Sequence, residues 1–230
     1  MNQRNYQKEL EKIVEKVRQG GENAPTLFLH SCCAPCSSYC LEYLAPFFKI
    51  TVFYYNPNIS ASEEYQHRVR EQKRLIEAYN QEGKGHPIEV IEGDWRPADF
   101  YEAVKGVEDC KEGGERCFRC YELRLRETAL QATKRGFDYF GTTLTISPLK
   151  NAEKLNEIGE RLAEEMNGVG SVASPKWLPS DFKKKGGYQR SIVLSKEYDL
   201  YRQDFCGCSF SKAQREMEKH EPRPWGSFDI

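Results

Sequence analysis

The sequence predicts an α/β fold, with a mostly parallel sheet and helices on both of its faces. Four short segments rich in apolar, β-branched or aromatic residues are predicted strands, at 26–30, 49–55, 88–91 and 138–143. Segments with apolar residues three or four positions apart are predicted helices, at 37–47, 62–80, 117–135 and 152–166. Strands and helices that alternate at this spacing are typical of βαβ units.

The remaining segments divide the chain into three parts. An amphipathic helix is predicted at 5–19, an irregular stretch at 94–116, a fifth strand at 169–174 and a last helix at 188–201. We therefore expect an N-terminal helix (1–25), an α/β domain that carries the catalytic centre (26–175) and a mostly helical C-terminal extension (176–230).

Composition limits the possible classes of protein. The 230 residues carry a formal net charge of −1, so overall charge does not indicate a nucleic-acid-binding protein. No apolar run approaches the roughly 20 residues that a membrane-spanning helix needs. The first eight residues are polar and lack the apolar core of an export signal, so we expect a cytoplasmic protein.

The cysteines carry the strongest chemical signal. Nine are present, and an odd number in a reducing compartment favours metal ligands or redox groups over structural disulfides. Cys32 and Cys33 follow the first predicted strand, while Cys117 and Cys120 lie one turn apart at the start of a predicted helix. Free amide groups at a helix start stabilise thiolates, so these four residues are candidate ligands of one metal centre.

Adjacent ligands favour an iron–sulfur cluster over zinc. Zinc ribbons usually separate their paired cysteines by two to four residues, whereas four thiolates also suit a [4Fe–4S] cluster. Zinc remains an alternative, as does a role for Cys32 and Cys33 as small core residues. The spacing of Cys33, Cys36 and Cys40 does not match a radical-type cluster motif, and we expect Cys40 to be a buried helix residue.

Cys206-Gly-Cys208 is a candidate redox pair. A disulfide across one residue closes a strained ring, and strained disulfides are labile. Gly207 supplies the backbone freedom that such a ring needs. Additional metal ligands, or a chance pair in a loop, are the alternatives.

Several segments together resemble one family, the cobalamin-independent epoxyqueuosine reductases (the QueH family). They cover most of the chain from about residue 26 to 210, and they are Cys32-Cys-Ala-Pro35, Tyr55-Asn-Pro-Asn-Ile59, Arg116-Cys-Phe-Arg-Cys-Tyr121, Thr142-Thr-Leu-Thr-Ile-Ser-Pro148 and Tyr201-Arg-Gln-Asp-Phe-Cys-Gly-Cys208. The resemblance implies a HUP-like (Rossmann-like) fold and reduction of epoxyqueuosine to queuosine in tRNA. It also implies a [4Fe–4S] cluster on Cys32, Cys33, Cys117 and Cys120.

The resemblance further implies that Cys206 and Cys208 form a redox-active pair, served by an external electron donor. Some members have an aspartate where this chain has Cys36, so we expect Cys36 to be a ligand of an additional iron. No Gly-rich phosphate loop follows the first strand, which argues against ATP use. Candidate proton donors are Tyr55, Asp94, Tyr121 and Asp204.

Binding of tRNA requires cationic surface. We expect it at Lys183, Lys184, Lys185 and Arg190, and also at the arginines of the cluster helix, which are Arg116, Arg119, Arg124 and Arg126. Two other functions compete with the reductase: a cluster-dependent enzyme that inserts sulfur into tRNA, and a zinc-stabilised RNA-binding module.

Overall fold

A single parallel sheet organises the molecule. The computed structural model describes residues 4–21, 23–167 and 174–220, and within them five strands pair in the order β3-β2-β1-β4-β5. The strands are β1 (Thr26–His30), β2 (Lys49–Tyr54), β3 (Glu89–Glu92), β4 (Tyr139–Thr142) and β5 (Lys176–Trp177). All four pairings are parallel, which confirms the predicted α/β class. The order is that of the first five strands of a Rossmann sheet.

Eight α-helices lie within the described residues. They are α1 (Tyr6–Gln19), α2 (Ala34–Leu44), α3 (Ser62–Glu82), α4 (Pro97–Ala103), α5 (Glu115–Lys134), α6 (Ala152–Met166), α7 (Gly187–Glu197) and α8 (Ser209–His220). Short 3-10 helices follow β4 at Thr143–Ile146 and precede α7 at Lys184–Gly186. No helix in these described ranges is long and apolar enough to cross a membrane.

Alternation along β1 creates one hydrophobic core on each face of the sheet. Leu27 and Leu29 are buried with apolar residues of α1, α2 and α3, whereas Phe28 is buried with residues of α5 and α6. Successive side chains of a strand point to opposite faces, so this one strand is covered on both sides. The prediction of helices on both faces is therefore confirmed.

Several predicted boundaries need correction. Helix α2 begins at Ala34 rather than Ser37, because proline is well accommodated in the first helical turn and Pro35 lies there. The stretch predicted to be irregular contains α4, and the tail contains α8. Helix α7 ends at Glu197, short of the predicted residue 201, and Asp199 then has a positive φ of 47°.

The predicted strand at 169–174 falls almost entirely outside the described residues, and β5 follows it at Lys176–Trp177. The sheet thus continues past residue 175, where we placed the start of the C-terminal extension. The division into three parts otherwise stays a prediction.

Candidate metal and redox centre

The first cysteine pair lies at the carboxyl edge of the sheet. Ser31, which follows β1, donates its backbone N–H to the Phe53 carbonyl of β2 at 3.0 Å, and its own carbonyl accepts from the Asn56 side chain at 2.8 Å. Cys33 is the residue that caps the start of α2. Ligand sites of open parallel sheets lie at this edge, where the chain order reverses between neighbouring strands. Here that position is between β1 and β4.

Three sulfur atoms converge in this turn. The Sγ atoms of Cys32, Cys33 and Cys36 all lie within 4.8 Å of one another, with 3.7 Å between the first two. Hydrogen bonds from the thiols of Cys32 and Cys36 hold the pKa of Cys33 well below its usual value, and the Arg68 guanidinium lowers it further. A thiolate beside two further sulfurs is a competent metal ligand set. Cys40 is buried in the core, as expected.

The second pair lies near the start of α5, with Cys117 in its first turn and Cys120 in its second. Cys120 is almost fully buried, and burial raises the pKa of its thiol to about 12. Cys117 is half-buried, and its sulfur accepts a hydrogen bond from the backbone N–H of Gly113 at 3.2 Å. The expected contact with a backbone amide near the helix start is thus observed for the Cys117 sulfur, whereas burial dominates the surroundings of Cys120.

The Cys206-Gly-Cys208 loop is held by the segment between β2 and α3 and by α3 itself. The Gly207 carbonyl accepts from the backbone N–H of Ser60 at 3.1 Å. The buried Arg68 donates to the Cys206 carbonyl at 3.2 Å and pairs with Glu64 at 2.6 Å. Gly207 has a φ of 114°, a backbone conformation that residues other than glycine rarely adopt. Both cysteines are free thiols in this arrangement.

The three cysteine segments meet around two cavities that share a wall. The larger, of about 310 Å³, is lined by Cys32, Cys33, Cys36 and Cys206 among others. The smaller, of about 10 Å³, is lined by Cys117, Cys120, Cys206 and Cys208. Four residues line both cavities, and these are Glu112, Arg124, Lys150 and Cys206. The sequence-predicted cysteines are therefore distributed over two adjoining spaces.

Two buried cations lie in the shared wall. Arg124 is 1% exposed, and its guanidinium approaches the Asn56 side-chain oxygen at 3.5 Å. The Lys150 ammonium lies 3.2 Å from the Cys206 sulfur and 3.3 Å from the Glu112 carboxylate. The sequence analysis missed Lys150 and Glu112. Their only signal was position, because Lys150 closely follows the Thr142–Pro148 segment and Glu112 precedes α5.

Four buried polar atoms around the smaller cavity have no hydrogen-bond partner within the described residues. They are Asn58 Oδ1, Arg116 Nε, Tyr121 Oη and Arg124 Nη2. Buried polar groups are nearly always satisfied, so these atoms are available to a further group, either an ordered water or a bound group with acceptor atoms. Three of the four atoms are donors, which suits an anionic group.

The candidate proton donors lie in different places relative to the two cavities. Tyr121 lines the smaller cavity and Asp204 lines the larger one. Tyr55 instead stacks on Phe53 in the core, with ring centroids 5.7 Å apart. Asp94 lines neither cavity.

The predicted phosphate-binding cations are largely engaged with carboxylates. Lys183 pairs with Asp181 at 2.6 Å, Lys185 pairs with Glu11, and Arg190 pairs with both Glu42 and Glu197. Lys184 lies in the short 3-10 helix between them. The expectation that Arg116 and Arg124 meet phosphates at the surface is wrong, because both side chains are buried. Arg119 and Arg126 remain partly exposed.

Comparison with known proteins identifies the family. A family model described as epoxyqueuosine reductase QueH matches residues 27–214. The chain belongs to the QueH family. The epoxyqueuosine reductase QueH of Streptococcus pyogenes is 40% identical over 207 residues, covering 90% of this chain and 78% of the relative. That of Staphylococcus epidermidis is 40% identical over 216 residues (93% and 87%), and that of Thermotoga maritima is 37% identical over 201 residues (85% and 94%).

The solved structures that match include a U34-tRNA thiolase NcsA from Methanococcus maripaludis with its [4Fe–4S] cluster. The match covers 94% of this chain and 74% of that chain, with 14% sequence identity and a TM-score of 0.45. A likeness this weak bears on neither the function nor the cofactor of this QueH-family chain.

Proposed function

We propose that this chain reduces epoxyqueuosine to queuosine in tRNA, with a [4Fe–4S] cluster and a redox-active cysteine pair. The observation that carries the proposal is the convergence of cysteines from three distant segments at the carboxyl edge of the sheet, in a chain of the QueH family. Proximity of metal-ligand sulfurs and a dithiol is what a reductive reaction at one centre requires.

The residues present fit an iron–sulfur cluster. We propose Cys32, Cys33, Cys117 and Cys120 as its ligands, since thiolates are the ligands that such clusters use. A cluster on four thiolates would be anionic, and the buried Arg124 and Lys150 would supply compensating positive charge. The unpartnered donors of Tyr121 and Arg124 would be available to its acceptor atoms.

The chemistry to be supplied is a two-electron reduction. Conversion of an epoxide to an alkene breaks two C–O bonds and releases water, which consumes two electrons and two protons. When bound, the cluster supplies single-electron transfer. Oxidation of the Cys206 and Cys208 thiols to a disulfide releases two electrons and two protons, so the pair balances one turnover. An external electron donor would then restore the dithiol.

Cys36 is the proposed ligand of an additional iron. Its sulfur lies within 4.8 Å of those of Cys32 and Cys33, and it lines the larger cavity. That cavity is the space in which we propose that the modified base binds. The residues Tyr188, Gln203 and Phe205, which also line it, present aromatic and amide groups of the kinds that contact unstacked bases in RNA.

The deciding experiment is an anaerobic assay on tRNA that carries epoxyqueuosine, with nucleoside mass spectrometry as the readout. The anaerobically purified protein and a chemical reductant should convert the epoxide to queuosine, and heat-treated protein should not. A brown protein with broad absorbance in the visible blue is expected. A colourless zinc protein that binds tRNA without converting it would contradict the proposal.

A further inference from the structure

Lys150 is a buried cation at the wall between the two cavities. It lies between the 3-10 helix after β4 and the start of α6, and its backbone N–H donates to the Ser147 carbonyl at 3.1 Å. Its side chain is 8% exposed. Lysine is almost never this buried unless it is paired, so its partners define its role.

The ammonium has two close partners, and one of them is a sulfur. Cys206 Sγ lies at 3.2 Å and Glu112 Oε1 at 3.3 Å. Glu112 is also buried, at 10% exposure, and lies 4.0 Å from the Arg215 guanidinium. The Glu112 carboxylate is thus shared by Lys150 and Arg215. The Lys150 ammonium has further N–H donors and can therefore also stabilise a thiolate at Cys206.

The two sulfurs of the redox pair differ in environment. Cys206 is half-buried and lines both cavities, whereas Cys208 is 7% exposed and lines only the smaller one. Cys208 packs with Phe100 and Val104, and its sulfur lies 3.3 Å from the Ser211 hydroxyl. Among the described residues, no ammonium or guanidinium group donates a hydrogen bond to the Cys208 sulfur, which accepts from the backbone N–H of Ser211 at 3.4 Å instead.

We propose that Lys150 is a positioning residue that makes Cys206, rather than Cys208, the reactive sulfur of the pair. The thiolate is the reactive form of cysteine, and a cation beside it favours that form. Although burial raises the pKa of Cys206, Lys150 and Arg124 together lower it below its usual value. The inference rests on the redox role proposed for the pair.

The test measures the alkylation rate of each cysteine in the intact, anaerobically purified protein. The protein is reduced with a phosphine, desalted and treated with iodoacetamide at pH 7.5, and peptide mass spectrometry follows Cys206 and Cys208 separately. In Lys150→Met we expect Cys206 to react about tenfold more slowly, with its advantage over Cys208 lost. Lys150→Arg, which keeps the charge, should stay within about threefold of the parent protein.

The matched control is Lys154→Met. Lys154 lies on the neighbouring helix α6, is 39% exposed and pairs with Glu157, so both alkylation rates should remain unchanged. If Lys150→Met leaves the Cys206 rate within twofold, or if Lys150→Arg is as slow as Lys150→Met, the proposal is wrong. Equal changes at Cys206 and Cys208 would likewise indicate loosening of the loop and overturn it.

A second pair of variants distinguishes loss of the Lys150 charge from destabilisation of the fold. Removal of Lys150 alone leaves Glu112 with a single distant cation, which is destabilising for a buried carboxylate. Glu112→Gln alone should not slow Cys206, because it removes a negative charge. In that background, addition of Lys150→Met should again slow Cys206 about tenfold; no slowing would overturn the proposal. Since no tRNA is needed, failure of the reductase assay and failure of this test are distinguishable.

Discussion

The two cysteine-bearing regions of the larger cavity are held in place by different means. The turn with Cys32 and Cys33 lies directly between β1 and α2, so the sheet ladder and the helix start fix its backbone. The Cys206–Cys208 loop adjoins regular structure on one side only, because Cys208 directly precedes α8 and its carbonyl accepts from the backbone N–H of Lys212 at 3.1 Å. The rest of the loop is held by hydrogen bonds to its carbonyls, from the Arg68 side chain and from the backbone N–H of Ser60.

This difference indicates different tolerances for movement. A turn built into regular structure is rigid, which suits metal ligands that need a fixed geometry. A loop that adjoins regular structure on one side only can open at a lower free-energy cost, which suits thiols that alternate between dithiol and disulfide. We therefore expect substitutions in the first region to remove the metal centre, and substitutions in the second to alter turnover while the metal centre remains bound.

The largest expected effect is in the turn. Cys33→Ser should eliminate the visible absorbance and reduce turnover at least about 100-fold, because a lost ligand releases the cofactor from a site that depends on thiolates. Absorbance spectra and iron content of the anaerobically purified variant measure this. Cys110→Ser is the control, since Cys110 lines neither cavity. Full iron content in Cys33→Ser would show that the turn is not a ligand site.

The next effect separates the two regions directly. The double variant Cys206→Ser/Cys208→Ser should retain its visible absorbance but lose turnover by about 10- to 100-fold, because the dithiol is no longer available as nucleophile or electron source. The measurement combines the absorbance spectrum with the nucleoside assay. Loss of the absorbance in this variant would make the pair part of the metal site and remove the distinction drawn here.

The same comparison explains how far the sequence could predict the site. The positions of Cys32 and Cys33 followed from the end of the first apolar strand, although the start of α2 was predicted three residues too late. The contacts of Arg68 with the Cys206 carbonyl join residues far apart in sequence, and no local pattern encodes them. Lys150 and Glu112 were also missed, because a single lysine or glutamate in a sequence usually lies on the surface and nothing local indicates its burial.

The secondary-structure elements also differ in how well the sequence predicted them. The strands that are buried on both faces, β1 and β2, were located correctly because apolar, β-branched and aromatic residues follow one another along them. The edge strand β5 has only two residues, and α4 only seven, so neither carries enough periodicity to be recognised. Arg124 was misplaced because a charged residue on a helix is normally exposed, whereas here it faces the cavity wall.

A smaller effect is expected at Gly207, whose backbone conformation shapes the loop. Gly207→Ala should lower the free energy of unfolding by about 2 kcal/mol, since it combines a strained positive φ with a clash. A Cβ at this position would lie 2.8 Å from Ile59 Cγ1. Gly106→Ala is the matched control, because Gly106 has a φ of 82° with open space around it and should cost about half as much.

Urea denaturation of both variants measures these costs, and turnover assays add the functional readout. The Gly207 variant should also lose turnover several-fold while keeping its absorbance, whereas the Gly106 variant should match the parent protein in both. Equal destabilisation by the two variants would mean that the contact with Ile59 gives way, and that the loop is held less tightly than its hydrogen bonds indicate.

The smallest effect is expected at the predicted tRNA-binding cations, which lie outside both regions. Changing Lys183, Lys184 and Lys185 to Glu should raise the apparent KM for tRNA about threefold, leave kcat unchanged and flatten the salt dependence of binding. The effect is modest because Asp181 and Glu11 already neutralise two of these lysines. The matched control reverses the charge of three exposed lysines at the amino edge of the sheet, away from the cysteines, which are Lys49, Lys134 and Lys176. If both triple variants raise KM equally, the effect reflects overall charge, and the surface that meets tRNA must instead be sought around the mouth of the larger cavity.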